Sequence, residues 1–240
     1  MKLRLIKTTC IVALCLFPVL RTQGQIIQLG SYDKRPIHFG IQLGMTQSKF
    51  EFTASTDEEL GELLHGATSY YMPGFLISIL AADIRLGNHL SFRCLPGVML
   101  TTRSIEYSWD QNTASSHLYE PYRNVESVYG ELPIELKYRA LRWRNFRPYV
   151  TGGVSYGFDL ASLRDNRNNT NESIIRLSPT DLRYTTGVGL DFFLRYVKFA
   201  IEFKMGFGLS DLKINDDDIH SQITTDLYSR TYTICISFEG

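Results

Sequence analysis

Two clusters hold the residue types of nucleophilic catalysis: His117 follows Ser115 and Ser116, and His220-Ser221 follows Asp216, Asp217 and Asp218. A histidine can take the proton of a serine hydroxyl while a carboxylate fixes its tautomer, so hydrolysis would start from groupings like these. Neither spacing matches a nucleophile elbow, and both lie in polar stretches where such residues are ordinary features of a hydrated surface. The chain therefore reads as non-enzymatic. The oxygen-rich run Asn215 to Asp218 could gather around calcium, but the EF-hand order with its Gly and closing Glu is missing, and a solvated acidic loop is the simpler reading. No glycine-rich loop follows a strand in the manner of a phosphate cradle. The glycosylation-type patterns around Asn169 and at Asn171 carry no necessary meaning in a bacterial surface protein. No metal and no cofactor is expected.

A larger set of charged residues has a different logic. Arg93, Arg103, Glu131, Glu135, Lys137, Arg139, Asp159, Arg183, Asp191, Arg195, Glu202 and Lys204 all fall on the polar side of segments whose alternate residues are apolar. In the stretch from Val197, the residues Val197, Phe199, Ile201, Phe203, Met205, Phe207 and Leu209 alternate with Lys198, Ala200, Glu202, Lys204, Gly206, Gly208 and Ser210. Ile37, Phe39, Ile41, Leu43 and Met45 alternate in the same way with polar or small neighbours, as do Leu132, Ile134, Leu136 and Tyr138. A period of two means β-strands with one greasy and one polar face. A water-soluble sandwich would share that pattern, so a second feature must decide which face meets which solvent.

Loop length is that feature. Strands are predicted near 36–47, 71–86, 89–106, 125–140, 146–161, 180–195, 197–212 and 226–239, joined by connections that run long, short, long, short, long, short, long. Transmembrane barrels of the bacterial outer membrane have short periplasmic turns, long outer loops and an even number of strands. The expected fold is all-β: an eight-stranded antiparallel transmembrane β-barrel of up-and-down topology, with both termini periplasmic and the greasy face against outer-membrane lipid. In that frame the twelve charged residues line the lumen. Eight strands enclose only enough space for side chains, so the charges should pair as a plug that holds the barrel's shape.

Other signals fit the same frame. Lys2, Arg4 and Lys7 precede an apolar run from Cys10 to Leu20, the order of a secretory signal, and the run is too short to span a bilayer. Cleavage is expected before Gln25, giving a signal peptide at 1–24, a periplasmic segment at 25–35 and the barrel at 36–240. Leu14 is too bulky before Cys15 for lipid attachment. The cysteines left, Cys94 and Cys235, are read as wall residues, with pairing across adjacent strands the alternative. Tyr70, Tyr71, Tyr107, Trp109, Tyr119, Tyr122, Tyr129 and Tyr228 are assigned to an outer aromatic girdle, and Trp143, Phe146, Phe193 and Tyr196 to an inner one. Leu80-Ala81-Ala82-Asp83 changes parity and calls for a β-bulge. The last strand places Ile234, Ile236 and Phe238 on one face, which resembles the signal read by barrel-assembly machinery. With 25 basic and 25 acidic residues, nothing suggests a nucleic-acid partner.

The segment Gly130-Glu131-Leu132-Pro133-Ile134-Glu135-Leu136-Lys137-Tyr138, the stretch Arg147-Pro148-Tyr149-Val150-Thr151-Gly152-Gly153, the signal end Gly24-Gln25 and the aromatic-glycine strands that follow resemble the PorT family of type IX secretion barrels and its gliding counterpart SprT. The Leu-Pro-x-x-Leu-Lys and Arg-Pro-Tyr patterns also occur across a wider superfamily of small barrels. The resemblance implies a part in exporting cargo such as secreted proteases, alongside other secretion-system subunits. The competing reading is a lipid-active or adhesive barrel that works through its long loops.

Overall fold

Alternation of apolar and polar residues over more than ten positions commits each segment to an extended conformation, and pairing of neighbours then satisfies the backbone. The computed structural model describes residues 28–30, 32–54, 64–109, 122–160, 178–212 and 224–240. Among them are ten strands: β1 (Ile37–Ala54), β2 (Leu64–Tyr70), β3 (Met72–Arg85), β4 (Leu90–Cys94), β5 (Gly97–Trp109), β6 (Tyr122–Arg139), β7 (Phe146–Asp159), β8 (Thr180–Phe193), β9 (Lys198–Gly208) and β10 (Thr224–Glu239). All pairs are antiparallel, and β1 bonds to both β3 and β10, so the sheet closes on itself; above that closure β2 pairs with β5 alone.

The ten strands form eight spans. β2 and β3 are one span broken at Tyr71, and both pair with β5. β4 and β5 are another, broken at Leu95 and Pro96, and both pair with β6. The second break has a chemical cause, because Pro96 and Pro133, which sits opposite Leu95, each lack an N–H. One bond survives there, from Leu95 N to Pro133 O at 3.1 Å. On the other side of the gap the expected bulge appears: His38 pairs with Asp83 but Gly40 with Leu80, so β3 gains one residue on β1. Parity flips across it, with Ile79 outward, Leu80 and Asp83 inward, and Ile84 outward again.

Two predicted boundaries move. β1 continues to Ala54 and its neighbouring span begins at Leu64, where a long loop at 48–70 was expected; β5 and β6 likewise pair out to Glu106 and Tyr122. There the outward residues are themselves polar, as at Lys49 and Glu51, while Phe50 faces inward, so pairing persists where apolar-outward alternation no longer marks it. The tight connections at 86–89, 140–145 and 194–197 gather at one end with residues 28–36 and Gly240. β1, β2, β5, β6 and β10 reach furthest from it.

Candidate functional site

The inner wall is where the chain concentrates its charge. Eight acids (Asp83, Glu131, Glu135, Asp159, Asp181, Asp191, Glu202, Glu239) and eight bases (Arg93, Arg103, Lys137, Arg139, Arg147, Arg183, Lys198, Lys204) are buried among the described residues. Their formal charges cancel in sum.

The pairs form tiers along the axis. In the middle tier Arg93 Nη2 donates to Glu135 Oε2 at 2.6 Å and to Glu202 Oε1 at 2.9 Å, while Lys204 Nζ donates to Glu135 Oε1 at 2.7 Å. Glu202 also accepts from Tyr149 Oη and from Thr151 Oγ1, each at 3.0 Å. Tyr149 reaches it because Gly189, paired opposite, has no side chain: a Cβ there would lie 2.3 Å from the Tyr149 ring. Toward the long-loop end Arg183 pairs with Glu131 and with Asp181 at 3.7 Å, and Asp181 accepts from Ser229 Oγ at 3.0 Å. Arg103 stands 3.6 Å from Asp181 and donates to Tyr129 Oη at 3.2 Å. Toward the tight-turn end Lys137 donates to Asp191 at 2.9 Å, and Lys198 bridges Asp191 to Glu239. A small apolar cluster of Leu76, Met99, Tyr129 and Cys235 fills part of the remaining space.

Of the twelve residues assigned to the lumen by sequence, eleven are buried there: Arg93, Arg103, Glu131, Glu135, Lys137, Arg139, Asp159, Arg183, Asp191, Glu202 and Lys204. Arg195 is not. It is exposed in the turn at 194–197, its guanidinium 5.4 Å from the Tyr196 ring, because β8 ends at Phe193 before the inward parity can carry so far. Two aromatic assignments also move inside: Tyr129 is buried in the lumen, and Phe193 lies under two guanidiniums. Both occupy positions of inward parity in their strands, so the alternation itself carried that information. Asp83, Asp181, Arg147, Lys198 and Glu239 complete the network beyond the twelve. The bulge hides Asp83, while Asp181 and Lys198 share parity with Arg183 and Glu202.

The described residues of the segment that precedes the barrel pack across its mouth. Tyr32, in a one-turn 3-10 helix (Tyr32–Lys34), is buried, stacks on His38 with ring centres 3.7 Å apart, and donates its hydroxyl to Glu239 Oε2 at 2.7 Å. Asp33 accepts from Arg147 at 2.7 Å and from Arg142 at 3.3 Å, and Arg142 also donates to the Gln28 carbonyl. The Arg142 guanidinium lies 3.7 Å over the Phe193 ring. Burial pushes the Tyr32 phenol well above its ordinary value, with Lys198 opposing and Glu239 adding. Burial would raise the Asp33 carboxyl, but the hydrogen bonds and charges of Arg147 and then Arg142 outweigh it and hold it below the usual range.

The outer wall is the reverse. Phe39, Met45, Phe75, Ile77, Ile79, Val188 and Ile234 are each more than half exposed. Monomeric proteins in water rarely expose apolar surface on this scale, and a wall facing lipid does so by necessity. Ile234, Ile236 and Phe238 belong to it and pair across β1 with Met45, Leu43 and Ile41. Cys94 and Cys235 are free thiols on opposite faces, Cys94 pointing outward and Cys235 buried inside. His117, Ser115, Ser116, His220, Ser221, the Asn215 to Asp218 run, Asn169 and Asn171 lie outside the described residues, as do residues 1–24. Among the described residues no group of three His, Cys, Asp or Glu could hold a metal ion.

The family described as "Outer membrane protein beta-barrel domain" matches residues 23–213. Neisserial surface protein A is similar in structure at 9% identity and a TM-score of 0.43, covering 83% of this chain and 95% of its own. Ail, the attachment invasion locus protein of Yersinia pestis solved with a heparin analogue, follows at 10% identity and 0.40, covering 86% and 100%. OprG of Pseudomonas aeruginosa stands at 13% and 0.39, covering 85% and 94%. No curated protein matches the chain by sequence.

Proposed function

The chain belongs to the outer membrane protein beta-barrel family, and from that premise we propose that it is a non-enzymatic subunit of the type IX protein secretion machinery, acting as an accessory or assembly component rather than as the conduit. The observation that carries the second half is the lumen. Sixteen buried charges, most of them paired with one another, fill the interior, and Tyr32 packs across its lower mouth, which supports a role other than the passage of a polypeptide. Work on cargo therefore falls to the two ends. The resemblance to PorT and SprT over Gly130 to Tyr138 and Arg147 to Gly153 supports the assignment to secretion.

In this reading both termini and the tight turns face the periplasm, and the four long connections face outward. Other secretion subunits dock at one or both ends, and barrel-assembly machinery reads Ile234, Ile236 and Phe238 during insertion. Deleting the gene tests the role: sorting-domain cargo should vanish from the cell surface while the envelope lipids stay as they were. An intact secretome with altered lipid or adhesion would favour the loop-driven alternative. Conduction of large solutes by the purified barrel in planar bilayers would overturn the accessory role.

A further inference from the structure

The seam where β10 closes onto β1 carries a sequence of outward pairs that changes character over a short height. From the tight-turn end upward, Ile41 faces Phe238, Leu43 faces Ile236, Met45 faces Ile234, Gln47 faces Tyr232, and Lys49 faces Arg230. At about 3.3 Å per residue and a tilt of about 40°, the ten steps from Ile37 to Gln47 climb roughly 25 Å, the height of the apolar band of an outer-membrane barrel. Lys49 and Arg230 therefore stand at the first level above the hydrocarbon, where lipid headgroups lie.

Below them the wall is cleft. A depression of about 610 Å³, lined by Leu43, Met45, Phe75, Ile77, Phe203 and Ile234 among others, runs up to Tyr232 and Gln47. Its size is within the range of small-ligand clefts, roughly 300–1,000 Å³. Directly opposed like charges repel across a sheet, so the Lys49–Arg230 pair is costly without an anion. Glu51 relieves only Arg230, at 2.9 Å. Lys49 sits 5.0 Å from the Tyr71 ring, Arg230 packs 5.3 Å from the Phe207 ring, and Tyr71 and Tyr232 lie 5.4 Å apart. Two cations on an aromatic shelf, set at headgroup height over an apolar cleft, match a molecule with a phosphate above and acyl chains below.

We propose that this seam is a binding site for a phosphorylated glycolipid of the outer leaflet, with a lipid A phosphate between Lys49 and Arg230 and an acyl chain in the cleft. The assignment to the outer leaflet rests on the orientation given under the proposed function, and on nothing else in it. Aromatic rings hold the cations in place, so the site costs little ordering when it fills.

The test uses the full mature barrel purified in mild detergent and titrated with bisphosphorylated lipid A, dephosphorylated lipid A and phosphatidylglycerol, with bound lipid read by native mass spectrometry. Lipid A should bind in preference to both others. The double variant Lys49→Gln/Arg230→Gln should weaken it about tenfold or more. Met45→Trp, which fills the cleft, should weaken it while the protein still runs as a folded, heat-shifted band. Unchanged affinity in the double variant, or equal binding of phosphatidylglycerol, would overturn the site. Protease shaving of residues 110–121 on intact cells reads the orientation separately. Cleavage from outside together with absent lipid A binding defeats this inference alone, whereas no cleavage defeats the orientation and the inference with it.

Discussion

Glu202 is fully shielded and accepts hydrogen bonds from Arg93, Tyr149 and Thr151; Phe203, the next residue, is 39% exposed on the outer wall. The same contrast separates Cys235 from Ile236 and Glu135 from Leu136. The inner face is specified by partners: most of its buried charges are met by an opposite one, so its stability is largely a property of pairs. The outer face is specified by the solvent: a side chain there needs no particular neighbour, only hydrocarbon. Damage should therefore be coupled on the inside and additive on the outside.

The coupled side gives the largest expected effect. Glu202→Leu removes the acceptor shared by Arg93, Tyr149 and Thr151 and leaves the middle tier with an excess cation, so urea unfolding of the barrel in vesicles should show a loss of roughly 3–5 kcal/mol. Adding Arg93→Leu should recover part of that loss. Simple additivity would break the comparison. On the outer face Phe203→Lys should cost roughly 2–4 kcal/mol in the same assay, whereas Leu209→Lys at the strand end should cost about 0–1, because the penalty follows depth. Equal penalties would mean that the outer face does not sense a bilayer.

A third substitution probes the inside without changing charge. Gly189→Val drives a side chain into Tyr149 and should cost about 1–3 kcal/mol, with the Tyr149 to Glu202 bond lost. The smallest effect is expected at the cap. Because Asp33 has a lowered folded-state pKa, its contribution is complete above the unfolded value of about 3.9 and disappears as pH falls through the folded one. The pair with Arg147 is partly exposed, so Asp33→Asn should cost roughly 1 kcal/mol or less. Proteolysis of the segment around Gln28 should rise in that variant, and should rise in the unaltered protein only at strongly acid pH.

Much of this architecture was legible in the residues because period-two alternation is a direct consequence of facing two media. β1, β6 and β9 could be placed with their inward and outward sets, and the parity break at Leu80 to Asp83 located the bulge before any coordinates. Three things were hidden. In the upper part of β1 the outward residues Lys49 and Glu51 are polar while Phe50 turns inward, and in β6 Glu126 is outward, so the hydropathic contrast of the lower strands is lost. The gap at Leu95 and Pro96 depends on Pro133, remote in the chain. Tyr32 belongs to a turn-rich segment without periodicity, and its burial follows from His38, Phe193 and Glu239, which the closed sheet alone brings together. Arg195 failed for the opposite reason: parity was carried one turn past the strand that enforces it.

The two native thiols of the described barrel test the central claim most directly, because they mark the two faces without any substitution. Folded protein in vesicles is treated with a lipid-partitioning maleimide or with a charged, impermeant thiol reagent, and the modified sites are read by mass spectrometry. Cys94 should react with the first and not the second, and Cys235 with neither until denaturant opens the barrel. Labelling of Cys235 by the charged reagent in the folded state would show a lumen open to bulk water, and would contradict the account.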